Sequence, residues 1–234
     1  MGRVKALLPL ALLSACTPLQ ATPSVLPYPG GFLQGSLVTG RFTVTLPGPP
    51  LFLDADEIAL YAAYPYQILR YRQGGMESLP LPGIPRFLRA RGGKAVVGLG
   101  EAILLGDQLL PYPARDALYT ERGVFWVGRD GLYLDAVLLR RGDFTQVVAW
   151  EGHVVALGRE AYFHPDGQTL PLPHPARKAQ VGACGILVLL DRVYLVRREG
   201  VRPFAEAEDF AVWNENVYLV PSERVVSCKE VAWP

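Results

Sequence analysis

The chain of 234 residues repeats one pattern, a short and strongly apolar run that is closed by a turn residue. The runs read KAVVGLG, GVFWVG, GHVVALG, CGILVLLD and NVYLVP, and an earlier, looser copy reads EIALYA. With that copy first, the runs end at positions 62, 100, 128, 158, 191 and 221. Valine, leucine and aromatic residues dominate these runs, which is typical of strands covered on both faces. A spacing this regular indicates a protein that is assembled from repeated supersecondary units.

A second strand follows most of these runs after a short turn, in the segments EAILL, GLYLD, EAYFH, RVYLV and ERVVSC. The third copy displays a whole unit, which reads GHVVALG, REAYFH, GQTLPLP and RKAQVG. The 24 glycines and 21 prolines of the chain supply the tight turns that antiparallel hairpins require. Each unit is therefore predicted to be a four-stranded meander of roughly thirty residues.

Repeated four-stranded sheets predict an all-β fold, a β-propeller of about six short blades. The units lie near 57–91, 94–121, 123–150, 152–182 and 184–213, and the last, 216–234, is too short for four strands. We expect the strand-like segment 36–46 to pair with the C-terminal strands, so that one propeller domain covers 36–234 and its ring is closed. The apolar runs are assigned to the inner strands. Another all-β repeat fold, such as a solenoid, or a β-sandwich is the alternative.

The first residues have the features of an export signal. Arg3 and Lys5 precede an apolar segment, 6–13, that is too short to span a bilayer. The next four residues, Leu13-Ser14-Ala15-Cys16, resemble the lipobox of bacterial lipoproteins at all four positions. The resemblance implies cleavage before Cys16 and attachment of a diacylglycerol, with acyl chains such as palmitate, to its sulfur. An ordinary cleaved signal with an incidental cysteine is the alternative.

The resemblance also implies a domain order and a location. Residues 1–15 would be the lipoprotein signal peptide, and the proline-rich segment 16–35 reads as an extended tether. The membrane would then be contacted through the lipid on Cys16. Thr17 is not the aspartate that is associated with inner-membrane retention in enteric bacteria, which favours the periplasmic side of the outer membrane within the cell envelope.

The remaining two cysteines, Cys184 and Cys228, make one possible pair. An exported compartment permits disulfides, so we predict a bond between them. Two buried free thiols that pack as small hydrophobic groups are the alternative.

Motifs for catalysis and cofactor binding are missing from the sequence. The net charge of +1 argues against a general nucleic-acid binder. The sequence contains no HExxH, GxSxG, SxxK or phosphate-binding loop motif. We therefore expect no catalytic residues, no metal and no cofactor. A scattered triad, or a carboxylate pair among the 22 acidic residues, stays open.

Exposed aromatic and arginine side chains often anchor protein interfaces. The candidates for partner binding are Tyr64, Tyr66, Tyr112, Arg140, Arg141, Arg197 and Arg198. They lie in predicted turns or at strand ends, where solvated side chains are the simpler interpretation.

These features favour a lipid-anchored scaffold of the cell envelope without catalytic activity. Its partner would be another envelope protein, and it would act as a component or assembly factor of an envelope protein complex. In outline the chain resembles bacterial propeller lipoproteins that help to assemble outer-membrane proteins, although their blades are larger and more numerous. A propeller that acts on or binds carbohydrate is the alternative. That function would need a channel lined by several Asp, Glu, Arg or His side chains, whereas the predicted inner strands are apolar.

Overall fold

The repeated apolar runs form strands of seven small antiparallel sheets in a computed structural model that describes residues 25–230. Six of the sheets have four strands and the seventh has three, and the strands of each sheet pair in chain order. The sheets are the blades of a β-propeller. The predicted fold class is therefore confirmed, but the blade count is seven and not about six.

The first four blades cover the N-terminal half of the described chain. Blade 1 holds β1 (Val25–Tyr28), β2 (Gly31–Gln34), β3 (Leu37–Gly40) and β4 (Val44–Thr45). Blade 2 holds β5 (Phe52–Ala55), β6 (Ala59–Tyr64), β7 (Gln67–Arg72) and β8 (Gly75–Pro80). Blade 3 holds β9 (Phe87–Arg91), β10 (Lys94–Gly98), β11 (Ile103–Leu105) and β12 (Gln108–Leu110). Blade 4 holds β13 (Asp116–Thr120), β14 (Gly123–Val127), β15 (Gly131–Leu134) and β16 (Val137–Arg141).

Three blades complete the ring. Blade 5 holds β17 (Phe144–Trp150), β18 (His153–Gly158), β19 (Glu160–His164) and β20 (Gln168–Pro171). Blade 6 holds β21 (Lys178–Gly182), β22 (Gly185–Leu189), β23 (Val193–Arg197) and β24 (Gly200–Ala205). Blade 7 holds β25 (Asp209–Trp213), β26 (Asn216–Val220) and β27 (Arg224–Ser227), followed by a 3-10 helix over Cys228–Glu230. Between residues 25 and 230, no helix has the length and apolar character needed to cross a membrane.

The core consists of apolar layers between successive blades. Each layer joins side chains of two neighbouring sheets, for example those of blades 5 and 6 around Val155 and Ile186. The second strands contribute most, and all five residues of β22 are buried. A second strand is flanked by hydrogen-bonded strands on both edges and by a blade on each face, which explains its continuous apolar sequence.

The strands nearest the axis are the first strands of the blades, because β5 contacts β9, β13 contacts β17, and β17 contacts β21. The assignment of the apolar runs to the inner strands was therefore wrong, since those runs are the second strands. Each predicted unit began one strand late and ended on the first strand of the next blade. A first strand has one edge on the channel, so its sequence contains both polar and apolar residues. The first strands are therefore harder to recognise from an apolar run than the second strands.

The N-terminal part of the described chain forms a blade of its own. Residues 25–35, which were assigned to the tether, contain β1 and β2, and the segment 36–46 contains β3 and β4. These four strands pair with one another and with no strand of blade 7. The expected completion of the last blade by 36–46 is thus replaced by a complete additional blade. Cys16 and the rest of 1–24 lie outside the described residues.

The ring closes by packing of blade 1 against blade 7. The backbone N–H of Gly30 donates to the carbonyl of Val212 over 2.8 Å. Farther from the axis, the rings of Phe32 and Tyr218 stack with 4.8 Å between their centroids. These contacts join the two ends of the described chain without a shared sheet.

A disulfide bond joins Cys184 to Cys228, as predicted, with 5.8 Å between the two Cα atoms. Cys184 lies in the turn between β21 and β22, and Cys228 begins the 3-10 helix after β27. Both side chains are buried. The bond therefore ties the end of the three-stranded blade 7 to blade 6.

We expect reduction of this bond to destabilise the fold. The bond closes a loop with a sequence separation of 44, for which loop entropy predicts a loss of about 3–4 kcal/mol in the free energy of unfolding. Urea unfolding with and without reductant measures the change. The variant C184S/C228S is the control, because reductant should not alter it. Equal stability of the wild type in both buffers would contradict the prediction.

Candidate functional site: a funnel above a polar channel

The two faces of the ring are distinguished by their turns. All first strands run in the same direction, and the turn that joins each first strand to its second strand lies on what we call the funnel face. The connections from each blade to the next lie on the opposite face, where every first strand begins. Val25, the first described residue, therefore starts on the opposite face.

The first strands carry charged and amide side chains that surround the channel. We call this set the polar belt, and it comprises Asp54, Arg89, Asp116, Gln146, Lys178, Gln180 and Asp209. The expectation of an apolar lining was wrong, because the inner strands are not the ones that the sequence analysis assigned.

An ion pair between neighbouring blades is the strongest interaction of the belt. Arg89 of β9 donates through Nε and Nη2 to both carboxylate oxygens of Asp116 on β13, over 2.7 and 2.8 Å. Its Nη2 also donates to Gln146 on β17 over 2.7 Å. Asp116 is 1% exposed, so a two-pronged guanidinium contact compensates a carboxylate that would otherwise be buried alone.

Three side chains of the belt accept a hydrogen bond from a backbone N–H of the next blade. The acceptor and donor pairs are Asp54 with Ala90 (2.9 Å), Asp116 with Val147 (2.9 Å) and Gln180 with Val212 (2.7 Å). The N–H groups at an inner edge have no neighbouring strand in their own sheet. The belt therefore supplies partners that these groups would otherwise lack.

A second cation of the belt lies where the ring closes. Lys178 of β21 donates through Nζ to Asp209 over 2.6 Å and to the carbonyl of Pro27 over 3.2 Å. Burial lowers the pKa of Lys178, while the adjacent Asp209 carboxylate acts in the opposite direction. One ammonium group thus connects blade 6 to both blade 7 and blade 1.

Asp54 differs from the other carboxylates of the belt because it forms no ion pair. Burial raises the pKa of Asp54 to about 6, against a smaller lowering effect of the nearby Arg89 and of the N–H groups of Ala90 and Ala55. For Arg89, burial alone would lower the pKa of the guanidinium, but the paired Asp116 and the nearby Asp54 raise it. The channel therefore holds the charged guanidinium of Arg89 near the carboxyl of Asp54, whose pKa is raised to about 6.

The channel opens on the funnel face into a cavity of about 870 Å³, which we call the funnel. Every blade contributes to its wall. Charged side chains of blades 1 to 3 line one half, namely Arg41, Asp54, Asp56, Glu57, Arg89 and Arg91. The other half, from blades 4 to 7, is lined mainly by small and apolar residues, including Leu118, Val148, Ala149, Val181 and Val212.

A side groove of about 610 Å³ continues from the funnel across the turns of blades 3 to 5. It shares Arg91, Gly92 and Ala149 with the funnel, so the two cavities are adjacent. Tyr119 and Trp150 line the groove as well. Together the two cavities form an open, elongated depression with charged, apolar and aromatic sides.

The tyrosines that were predicted to bind a partner lie on or near the opposite face. Tyr66, in the turn after β6, is 61% exposed. Tyr64 is half-buried, its hydroxyl donates to the carbonyl of Gly48, and burial raises the pKa of Tyr64 to about 12. Tyr112 is half-buried and stacks on Trp126. Only Tyr66 of the three offers most of its surface to solvent.

The four arginines do not form one cluster. Arg140 lies over the Tyr162 ring and 3.8 Å from Glu160, and Arg141 ends the same strand in an exposed position. Arg197 donates to the carbonyl of Cys184, whereas Arg198 pairs with Asp166 over 2.7 Å. The first two lie toward the opposite face and the last two toward the funnel face, so no common site results.

None of the arginines that line the funnel was singled out from the sequence. Arg89 and Arg91 lie in the first strand β9, and Arg41 lies in the turn after β3, so no local motif connects them. The usable signal is positional, because Arg89, Asp116 and Lys178 each belong to the strand that precedes an apolar run. Assigning that strand to the channel would have identified them.

Solved structures of other propellers resemble this chain at low sequence identity. PorZ, an essential bacterial surface component of the type-IX secretion system of Porphyromonas gingivalis, matches with a TM-score of 0.53 and 11% identity over 76% of this chain. This chain covers only 32% of the PorZ chain. The WD40 propeller domain of Doa1 matches with a TM-score of 0.51 and 14% identity, over 76% of each chain.

BBS1N, in a structure of its complex with ARL6DN, matches with a TM-score of 0.53 and 17% identity over 84% of this chain and 82% of BBS1N. No protein family and no curated protein matches the sequence. At these identities the likeness shows the fold alone. The fold and the site thus define a small seven-bladed β-propeller with an open funnel above a polar channel.

We expect removal of the Arg89 guanidinium to destabilise the propeller strongly. Arg89→Leu leaves the buried Asp116 carboxylate without its cation, which should lower the free energy of unfolding by about 3–5 kcal/mol. The double variant R89L/D116N should recover much of the loss, because asparagine is neutral and can still accept the Val147 N–H. Urea unfolding measures both variants. A change below about 1 kcal/mol in Arg89→Leu would show that the pair is not needed.

We expect Asp54 to make stability depend on pH. Because the folded-state pKa of about 6 lies above the ordinary value of 3.8 for an aspartate, the folded protein binds this proton more tightly than the unfolded chain. Its contribution is complete below about pH 4 and is lost as the pH rises through 6, a change of up to about 3 kcal/mol. Wild type should therefore lose stability relative to Asp54→Asn between about pH 4 and pH 7.

The exposed Asp107 supplies a matched control for this measurement, as Asp107→Asn. Thermal unfolding of the three proteins across the pH range measures the difference. Parallel curves for wild type and Asp54→Asn would contradict the raised pKa of Asp54.

Proposed function

We propose that this protein is a binding scaffold of the bacterial cell envelope that engages another envelope protein through its funnel face. In this proposal a lipid on Cys16 holds the chain at the membrane, on the periplasmic side of the outer membrane, and the propeller has no catalytic role. The observation that carries the proposal is the open funnel, a depression of about 870 Å³ to which all seven blades contribute.

The direction of the chain supports this arrangement. Val25 begins on the opposite face, so the segment from Cys16 would leave the propeller there. That segment is short and spans at most about 30 Å when extended. The opposite face would then lie toward the membrane and the funnel face away from it, where a partner has access.

Two of the similar propellers are consistent with a protein partner. PorZ is a surface component of a bacterial secretion system, and BBS1N was crystallised with ARL6DN. They support the proposal only by analogy, because the shared property is the fold.

A carbohydrate-acting propeller is supported less well. The funnel does contain carboxylates, which that function would need. However, Asp56 accepts the N–H groups of Ile58, Ala59 and Gly93, and Asp54 accepts those of Ala55 and Ala90. Carboxylates that are engaged by backbone groups in this way serve the local structure, and a reacting acid–base pair needs groups that face the substrate.

Affinity purification from detergent-solubilised native membranes, followed by quantitative mass spectrometry, tests the proposal. Ala183→Trp places a large ring on an exposed turn of the funnel wall, and Ser222→Trp is the control in the exposed turn between β26 and β27 on the opposite face. An envelope protein should co-purify with wild type and Ser222→Trp, and its recovery should fall at least about tenfold with Ala183→Trp.

Equal recovery of the same proteins with all three baits would overturn the assignment of the funnel face as the binding surface. Absence of any envelope protein from the wild-type preparation would overturn the scaffold function itself.

A further inference from the structure

We infer that the funnel binds a polypeptide segment that combines a carboxylate with an adjacent apolar side chain, the carboxylate pairing with arginines of blades 1 and 3. The inference rests on the proposed function and specifies the chemistry of the partner. It follows from the distribution of charge, of hydrogen-bond donors and of apolar surface around the funnel.

Two arginines on the funnel wall are available for an anion. Arg41, in the turn after β3, and Arg91, at the end of β9, are both exposed and line the funnel. Within the described residues, neither side chain has an ion-pair partner or an acceptor. A guanidinium binds a carboxylate through two parallel hydrogen bonds, which adds geometric selectivity to the charge.

The floor of the funnel adds a third donor group. Arg89 uses Nε and Nη2 for Asp116 and Gln146, and its Nη1 donates to no group among residues 25–230. Because two of its nitrogens are anchored by the belt, the guanidinium is held in place before any ligand arrives. Such a preorganised donor loses little entropy on binding.

Most acids of the funnel are already engaged. Asp54 and Asp56 accept backbone N–H groups, and Glu215 pairs with Lys229 over 2.5 Å. Glu57 is the one acid of the funnel wall without such a partner in the described part of the chain. Within the described residues, the charged side chains of the funnel therefore offer more hydrogen-bond donors without a partner than carboxylates without a partner. This balance favours the binding of an anionic group.

The wall formed by blades 5 to 7 is mainly apolar. Val148, Val181 and Val212 line it, beside the polar side chains of Gln180, Asn214 and Glu215. Val181 offers most of the accessible apolar surface, because it is 41% exposed although it belongs to a first strand, whereas the other two valines are buried. An apolar side chain of the ligand would remove this surface from water while its carboxylate pairs across the funnel. Burial of one such side chain is favourable by about 1.5–3 kcal/mol.

The shape favours an extended chain over a lipid. The side groove prolongs the funnel beyond Arg91 and provides aromatic surface at Tyr119 and Trp150. An acyl chain would need an enclosed apolar tunnel, whereas this depression is open and is polar along one side. Backbone amides and mixed side chains of a peptide match such a surface better.

A selection from random peptides tests the inference. Libraries of displayed heptapeptides, one with a free C-terminus and one with the peptide inserted internally, are panned on the full-length chain in detergent. We expect enriched sequences to place a carboxylate, either terminal or from Asp or Glu, beside an apolar residue. The two libraries distinguish a C-terminal carboxylate from an acidic side chain.

The affinities of the enriched peptides are then measured by fluorescence anisotropy for matched variants. Arg91→Gln and Val181→Ser should each weaken binding at least about tenfold. Arg129→Gln and Val137→Ser are the controls, because both residues are exposed and lie outside the funnel. Circular dichroism of each variant verifies that the fold is retained.

Selection of no sequence, selection of sequences without a carboxylate, or equal affinity for Arg91→Gln and wild type would overturn the inference. Displacement of the peptides by vesicles of anionic phospholipid, with direct vesicle binding that Arg91→Gln abolishes, would assign the funnel to lipid and overturn it as well. Failure of the inference would not decide the proposed function. Loss of an envelope partner with Ala183→Trp would still identify the funnel face as a protein-binding surface.

Discussion

The first strand of each blade is a sheet edge that faces the channel. Its N–H groups on the channel side have no neighbouring strand in the same sheet to which they could donate. The polar belt supplies acceptors for these groups from the preceding blade. Asp54 does so between blades 2 and 3, Asp116 between blades 4 and 5, and Gln180 between blades 6 and 7. The ion pair with Arg89 compensates the buried carboxylate of Asp116, and Lys178 pairs with the half-buried Asp209. The blades are thus joined by apolar layers at their faces and by hydrogen bonds at the axis.

The same constraint shapes the site. Since several carboxylates of the channel serve backbone groups or cations of the protein, they leave arginine donors unused at the mouth. Arg41 and Arg91 lie on one side of the funnel, and the apolar residues of blades 4 to 7 face them. A surface with arginines on one side and apolar residues on the other favours a ligand that carries both a negative charge and an apolar group. The proposed chemistry of the partner rests on this match.

Much of the architecture could be predicted from the sequence, because the second strands are apolar at nearly every position and recur at a regular spacing. β22, for example, is fully buried and reads GILVL. The start of each unit was predicted one strand too late. The most apolar strand of a blade was taken to be the strand beside the axis, but it is the second strand, which has neighbouring strands on both edges. Blade 1 was missed because its short strands contain proline and glycine and carry no comparable run. The pairing of Cys184 with Cys228 followed from parity, but the contacts of Arg89 depend on residues in two other blades.

The most direct test of the role of the belt is hydrogen exchange, by NMR, of the Ala90, Val147 and Val212 amides. If belt side chains hold these inner-edge N–H groups, all three should exchange as slowly as the amides of the buried second strands, through global unfolding. Rapid exchange, at rates typical of exposed turns, would show that the inner edges open freely to water and that the belt does not join the blades.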